Sequence, residues 1–150
     1  MAYTVGEMAK RLDVPASTLR YYDKEGLLPF VARSPGGMRM FQDTDLEWLR
    51  VIGCLKKAGM SIKHIRSYIE LAMQGDETIE QRLALFENQR EVLRAQLAEL
   101  QETMETLEYK CWFYETAKAA GKVEAPQSMT LEEIPAEHRK TYQRLKALMD

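Results

Sequence analysis

The sequence contains few of the residues that bind metal ions or form disulfide bonds. Its 150 residues include two cysteines, Cys54 and Cys111, and two histidines, His64 and His138. They show no metal-ligand spacing, so we expect neither a metal site nor a cofactor. A thiol enzyme based on Cys54 is the alternative of another class. It is disfavoured because no histidine lies on the same predicted helix as a base and no oxyanion-hole or cofactor motif occurs, so we expect no enzyme.

The sequence also lacks long hydrophobic runs and a strong charge of one sign. No run approaches the roughly 18 apolar residues that span a membrane, and no signal peptide is visible, so we expect a cytoplasmic protein with no membrane partner. The net charge is only −2, but residues 1–75 hold 11 Lys and Arg against 8 Asp and Glu, and residues 76–150 hold 10 against 15. A mildly basic first half fits a DNA-binding domain, and an acidic second half fits a solvated arm.

Two short helices joined by a tight turn are predicted at the start of the chain. Thr4 and Glu7 have the S/T-x-x-E spacing of a capping box, which places the first helix start there. Pro15 ends the first helix region and is tolerated in the first turn of the next helix. Gly26 supplies the stop signal of the second helix.

The second of these helices has the composition of a helix that enters a DNA groove. Leu19 is expected to face the core, which leaves polar, basic and aromatic residues near the exposed side of the first turns. Short hydrogen-bond donors suit phosphates, and an arginine suits a phosphate or a guanine edge. The alternative is an ordinary helical hairpin with a solvated face. The predicted DNA-binding residues are Thr18, Arg20 and Tyr21, with Ser17 and Tyr22 as helpers or core residues.

A β-hairpin, which we call the wing, is predicted to follow. Residues 29–33 and 38–41 are extended runs, and the Gly-containing segment 34–37 between them is a turn. Arg33 and Arg39 lie near the tip of this hairpin. From there both side chains are expected to reach a phosphate backbone.

A second helix pair is predicted after the wing. Thr44 and Glu47 form another capping-box pattern, which begins a helix through about Ala58. Ser61 is the expected N-cap of the next helix. Lys63, in the first turn of that helix, is expected to meet phosphate together with the N-terminal amides.

A sustained heptad pattern predicts a long dimerisation helix over about 78–119. At 1.5 Å per residue this helix is roughly 60 Å long, too long to bury its apolar stripe within so small a chain. A helical hairpin is the alternative, but the sequence contains no second long helix. We therefore expect a homodimer and a pseudo-palindromic DNA site. One row of the heptad pattern is Ile79, Phe86, Leu93, Leu100, Leu107 and Tyr114, and the other is Leu83, Arg90, Leu97, Met104 and Cys111.

The predicted organisation is therefore a DNA-binding domain over 1–75, a dimerisation helix over 76–120 and a C-terminal segment over 121–150. In that last segment, residues 121–129 are expected to form a loop, and Thr130 with Glu133 forms a third capping-box pattern. A terminal amphipathic helix is predicted from the stripe of His138, Tyr142, Leu145 and Met149.

The order of these elements resembles the MerR family of bacterial transcription regulators. The resemblance is carried by the segments 19–23, 26–28, 39–41 and 59–65, and it covers residues 3 to about 120. It implies a mainly α fold with a winged helix-turn-helix domain, a second helix pair acting as another wing, and an antiparallel coiled coil. It also implies that the dimer kinks and untwists double-stranded promoter DNA, so that two promoter elements spaced too far apart both face RNA polymerase.

Cys54 is the predicted sensing residue. Arg50 and Lys57 are its neighbours on one helical face, and cations near a thiol favour the nucleophilic thiolate. The alternative is a small packing residue. Residues 52–61 resemble the aldehyde- and electrophile-responsive, AdhR/NmlR-like branch of the family, in which a single cysteine at this position is the proposed sensor. The resemblance implies a stress-response regulator whose effector is a reactive aldehyde, another electrophile or an oxidative signal.

Aromatic residues are concentrated near the end of the long helix, around Cys111, which we interpret as a packing residue, with a part in sensing as the alternative. One interpretation is structural: the aromatic residues lock the arm onto the DNA-binding domain of the other protomer, as the resemblance implies. The other is a pocket for a hydrophobic small molecule that binds without a covalent bond. The residues of this aromatic cluster are Tyr109, Trp112, Phe113 and Tyr114.

Overall fold

The computed structural model describes residues 1–149. Asp150, the last residue of the predicted C-terminal segment, lies outside the described residues. The described residues form two compact units, Met1–Leu93 and the residues from Arg94 onward, which are treated separately. The helices are α1 Val5–Leu12, α2 Ala16–Lys24, α3 Asp45–Lys57, α4 Ile62–Gln74, α5 Ile79–Ala120, α6 Glu124–Gln127 and α7 Ala136–Ala147, with a 3-10 turn at Asp76–Thr78. The strands are β1 Ala2–Tyr3, β2 Ala32–Arg33 and β3 Arg39–Gln42.

Local signals placed most helix ends in the first unit correctly. The Thr4 hydroxyl accepts a hydrogen bond from the Glu7 amide, and the Glu7 carboxylate accepts one of 2.8 Å from the Thr4 amide, which completes the predicted capping box. Pro15 is the N-cap of α2, and Gly26, just after α2, has φ of 73°. This left-handed conformation favours glycine, and it ends the helix as expected.

The predicted wing is part of a three-stranded antiparallel sheet of order β1–β3–β2. Arg33 pairs with Arg39 in the hairpin, and Ala2 pairs with Gln42 on the other side of β3. The strand β1 was not predicted, because two residues are too few to show a period-2 pattern. Its pairing means that β3 is held from both sides.

The core of the first unit draws on every helix from α1 to α4. Each of its large side chains contributes about 1.5–3 kcal/mol through removal of apolar surface from water. The side chains that are fully buried in this core are Met8, Leu19, Leu27, Leu28, Phe41, Ile52, Ile65 and Ile69.

The capping box predicted at Thr44 is wrong. Helix α3 begins as expected, but the Thr44 side chain makes no capping hydrogen bond. Instead the buried carboxylate of Asp45 accepts a 2.8 Å hydrogen bond from the amide of Gln42. The first turn of α3 is therefore fastened to the end of β3, a contact that the S/T-x-x-E pattern does not reveal.

Phe86 is also corrected. The heptad pattern assigned it to the dimer seam, but its ring packs on the core of the first unit and meets the Tyr68 ring edge-on at 4.9 Å between centroids. Close by, Gln89 Nε2 donates a 2.9 Å hydrogen bond to the Ala58 carbonyl at the end of α3. The first turns of α5 thus belong to the DNA-binding unit.

In the second unit, α7 packs on the later turns of α5. The ring of Tyr109 is buried and lies 6.2 Å from that of His138 and 6.3 Å from that of Tyr142, between centroids. Arg144 donates to Thr106 Oγ1 at 2.8 Å and to the Glu102 carbonyl at 3.0 Å. The predicted terminal helix is therefore present and anchored by both apolar and polar contacts.

Three details of the C-terminal segment differ from expectation. The predicted loop contains the short helix α6, in which Pro126 is buried. Thr130 donates its amide to Glu133 Oε2 at 2.7 Å, but no helix begins there, because Pro135 disfavours helical backbone in the residue before it. Met149 lies beyond the end of α7 and is exposed, so it does not belong to the buried stripe.

Two threonines with the same sequence signature provide a matched test of the capping geometry. We expect Thr4→Ala to lower the free energy of unfolding by about 1 kcal/mol, because the Glu7 amide loses the hydroxyl that caps it. Thr44→Ala should cost less than about 0.5 kcal/mol, because its hydroxyl caps nothing. Chemical denaturation of both variants measures the difference, and equal losses would contradict the assignment.

Candidate DNA interface

Helix α2 presents one face to the core and another to solvent. Leu19 is buried, whereas Ser17, Arg20 and Tyr21 are exposed and Thr18 is half-buried. Residues three and four apart on a helix are neighbours, so Ser17 lies beside Arg20 and Tyr21. This exposed row is what the DNA-binding prediction requires.

Of the two alternatives given for Tyr22, the structure supports the core residue. It is 7% exposed and belongs to the core cluster of the first unit. Burial in that cluster raises the pKa of its hydroxyl above the ordinary value, with the neighbouring Tyr21 as a smaller cause. Its main contribution is therefore to hold α2 in place.

Lys56 is a residue of this face that the sequence analysis missed. Its ammonium group, carried by α3, lies 5.5 Å from the centroid of the Tyr21 ring, a cation–π distance. Together with Ser17, Thr18 and the two tyrosines it lines a groove of about 360 Å³. No local pattern signals this contact, because it depends on how α3 packs against α2.

Arg39 differs from the expectation that it lies free at the wing tip. Its side chain is only 16% exposed and is turned back toward α2, where Nε donates to Asp23 Oδ1 at 2.8 Å and Nη2 lies 2.6 Å from the same oxygen. Nη1 donates to the Val31 carbonyl. The guanidinium is thus committed to contacts within the protein.

Arg33 is the more exposed of the two wing arginines. Its side chain is 52% exposed, with Nη1 donating to the Gly37 carbonyl at 2.9 Å and Nη2 lying 3.3 Å from Asp23 Oδ2. Two arginines therefore converge on one carboxylate. The hydrogen bond from Arg39 is the main cause that lowers the pKa of Asp23 below its ordinary value, while partial burial acts in the opposite direction.

The second helix pair contributes Lys63, which is exposed in the first turn of α4. Ser61 caps this helix as predicted, because its hydroxyl accepts a 3.2 Å hydrogen bond from the His64 amide. Farther along α4, Arg66 Nε donates to the Glu25 carbonyl at the end of α2, at 2.8 Å. Arg66, which the sequence analysis did not single out, therefore joins the two helix pairs.

Both cysteines are exposed in the single chain, Cys54 on α3 and Cys111 on α5. Arg50 and Lys57, the predicted neighbours of Cys54, are exposed on the same helix. Cys111 was interpreted as a packing residue, but within one chain its side chain is not buried. Residues 1–149 contain no cluster of three or more His, Cys, Asp or Glu side chains able to hold a metal ion.

The aromatic cluster is divided between packed and exposed positions. Trp112 and Phe113 have ring centroids 5.7 and 6.3 Å from that of Tyr109, and Trp112 also lies 5.5 Å from His138. Tyr114 contacts Phe113 edge-on at 5.2 Å but is largely exposed.

Over the described residues, no helix has the length and apolar character needed to cross a bilayer.

An exposed polar and basic helix held by a helical hairpin, an adjacent arginine-bearing wing and a second helix pair define a winged helix-turn-helix DNA-binding domain. Comparison with known families agrees with this class. The model of the MerR HTH family regulatory protein matches residues 3–71, and the MerR, DNA binding model matches residues 46–109.

Individual relatives extend the match over most of the chain. An uncharacterized HTH-type transcriptional regulator of Haemophilus influenzae is 49% identical over 135 residues, which cover 90% of this chain and 98% of that protein. The HTH-type transcriptional regulator AdhR of Bacillus subtilis is 36% identical over 89 residues, covering 59% of this chain and 64% of AdhR.

A solved structure shows the same architecture. HiNmlR, described as a MerR family regulator lacking the sensor domain and crystallised bound to promoter DNA, is 48% identical, with a TM-score of 0.67 over 87% of this chain and 98% of HiNmlR. The chain belongs to the MerR family of helix-turn-helix regulators, and it fits the AdhR/NmlR-like branch. It is accordingly a DNA-binding transcriptional regulator and not an enzyme.

Arg20 and Lys63 allow base reading to be distinguished from phosphate binding. We expect Arg20→Ala to reduce discrimination between the preferred and a mismatched DNA site by about 1–3 kcal/mol, because a guanine contact is lost. Lys63→Ala should weaken binding to all duplexes alike and lower the salt slope by about 1, because only a phosphate contact is lost. Titrations against both duplexes at several salt concentrations measure these effects. A uniform loss with Arg20→Ala would assign that side chain to phosphate.

Proposed function

We propose that this regulator acts as a homodimer that binds a pseudo-palindromic promoter and distorts the DNA to control transcription by RNA polymerase. The observation that carries the proposal is the unburied heptad face of α5. Leu97 is 60% exposed and Leu100 is 64% exposed, and Met104 and Leu107 are about as open to solvent. A contiguous apolar row of this kind marks a surface that another protein covers.

A second copy of α5 is the natural partner for this row. Heptad residues pack by inserting into spaces on a facing helix with the same repeat, and a two-fold symmetric pair places identical residues against each other. The resulting dimer carries two copies of α2, which matches a DNA site with two related halves. That HiNmlR is bound to promoter DNA in its crystal structure supports the nature of the target.

Distortion of the promoter supplies the regulatory step. Bending and untwisting a duplex costs a few kcal/mol, and the cost is repaid by the additional contacts that the deformed DNA makes. We expect the wing and the second helix pair, on either side of α2, to provide such contacts at each half-site. A change in the dimer that alters the relative position of the two DNA-binding domains would therefore change the promoter geometry that polymerase meets.

Two residues of α5 provide a matched test of the dimer. Leu100→Glu should weaken self-association by at least roughly 100-fold, because two unpaired carboxylates would enter the seam. Ala95→Glu adds the same charge to an exposed position on the side of α5 opposite the heptad rows and should leave self-association within about threefold of wild type. Sedimentation equilibrium measures both. A dimer unaffected by Leu100→Glu would place the interface elsewhere.

The same proposal assigns the signal to Cys54. The thiol is exposed on α3 and lies between exposed cations, so a small electrophile can reach it. Attack of the thiolate on an aldehyde forms a carbon–sulfur bond, and the carbonyl electron pair takes a proton from water to give a hemithioacetal. The Ala58 carbonyl at the end of α3 is held by Gln89 of α5. The end of α3, the helix that carries Cys54, is therefore hydrogen-bonded directly to the dimerisation helix.

The two exposed cysteines separate sensing from simple reactivity. We expect Cys54→Ser to abolish induction of the target promoter by an aldehyde, whereas Cys111→Ser should retain it. Transcription assays with each variant give the response, and intact-mass measurements of each variant after aldehyde treatment, without a reducing step, show which cysteine carries the adduct. Normal induction of the Cys54→Ser protein would refute the sensing role and leave the DNA-binding function intact.

A hydrophobic effector held by the aromatic cluster is the less favoured candidate. The buried side of this cluster is occupied by the chain itself, since Tyr109 packs against His138 and Tyr142 of α7. The groove beside Tyr114, of about 340 Å³, is lined largely by residues at the end of α5 and the start of the next turn. These contacts support a structural role for the cluster.

A further inference from the structure

Asp23 is an acidic residue where DNA binding disfavours one. It lies three residues after Arg20 on α2, so the two side chains are neighbours on one helical face. Arg20, Asp23, Arg33 and Arg39 all line one groove of about 410 Å³ between α2 and the wing. A carboxylate at that place repels the phosphate backbone, and its presence requires another physical reason.

The contacts of Asp23 supply that reason. The carboxylate receives hydrogen bonds from Arg39 on β3 and from Arg33 on β2, so one side chain of α2 is joined to both strands of the wing. Arg39 in turn donates to the Val31 carbonyl at the start of the hairpin. The bonds to Arg39 are short, and both partners are well shielded, with Asp23 at 24% and Arg39 at 16% exposure. A pair of this kind is worth more than an ion pair in full solvent.

We propose that Asp23 is a positioning residue for DNA recognition: it fixes the wing to α2 so that Arg20 and Arg33 reach the duplex as one rigid surface. The inference rests on the DNA-binding role of α2 and the wing. It is independent of the Cys54 and dimer proposals. Rigidity matters because a wing that becomes ordered only on binding loses conformational entropy at that step, and this loss weakens the affinity for DNA.

Simple electrostatics and a positioning role predict opposite changes in DNA affinity for the variant Asp23→Asn. If charge alone matters, removal of a negative charge from the DNA-facing groove tightens binding and frees two arginines for phosphates. If Asp23 positions the wing, the same change weakens binding, because the wing loses its fixed orientation. Lost phosphate contacts also lower the salt slope of binding by roughly one for each contact, which a loss of stability alone would not do.

Asp13 offers a matched control. Asp13→Asn removes the same charge from an exposed residue of the same unit, at the end of α1, where φ is 54°. Asparagine adopts this left-handed conformation readily, so the control should fold normally. It measures the effect of removing one net negative charge from this unit at a position that does not line the groove.

The test uses the full-length protein and a duplex that the wild type has selected from a random-sequence pool. Fluorescence anisotropy titrations at several KCl concentrations give affinity and salt slope for each variant. We expect Asp23→Asn to weaken binding roughly tenfold with a lower salt slope, and Asp13→Asn to bind as wild type or slightly tighter. Binding by Asp23→Asn that equals or exceeds that of Asp13→Asn would overturn the inference.

Arg39→Lys provides a second, independent arm. Lysine keeps the positive charge but cannot make both directed hydrogen bonds, to Asp23 and to the Val31 carbonyl, at the same time. Arg39→Lys should therefore weaken binding as Asp23→Asn does, and the double variant should be no weaker than either single one, because both remove the same link. Additive losses would overturn the inference. Thermal unfolding confirms folding at the assay temperature, and Arg39→Lys decides the matter if Asp23→Asn is unfolded there. Failure of the wild type to prefer its selected duplex would refute the DNA-recognition role itself.

Discussion

Burial of Leu19 in the core of the first unit is the constraint on which the DNA interface depends. An α-helix that commits one side to a core leaves the opposite side for solvent, so the position of Leu19 decides that Ser17, Arg20 and Tyr21 face outward. Tyr22, on the buried side, strengthens the same orientation. The remaining elements act on this arrangement: Arg66 holds the end of α2 from α4, and Asp23 links it to the wing.

The net charge of the chain says little about how it binds DNA. A protein of charge −2 and pI near 5.8 has no general attraction for a polyanion, so its affinity must come from local groups. Several of the positive charges near the interface are paired within the protein: Arg39 with Asp23, and Arg11 with Asp43. Arg20, Lys56 and Lys63 are exposed around α2 and α4. Placement therefore matters more than total charge.

Helix α5 serves two purposes that the heptad pattern alone does not separate. Its first turns belong to the DNA-binding unit through Phe86 and Gln89, and its later heptad residues remain open to solvent within one chain. One continuous helix, Ile79–Ala120, therefore carries both sets of residues.

The helix order and most helix ends were predictable, because capping residues, Pro15, Gly26, Ser61 and the heptads act within a few positions along the chain. The motifs that carry the family resemblance are equally local, and periodicity separates Leu19 from the polar face of α2. Four features were not predictable in this way: Thr44 caps nothing, Phe86 packs on Tyr68, Lys56 lies over Tyr21, and Arg39 turns back to Asp23. Each of the last three features is a contact between residues of different elements. Their geometry depends on how helices and strands pack against each other, and the conformational propensities of neighbouring residues do not encode that packing.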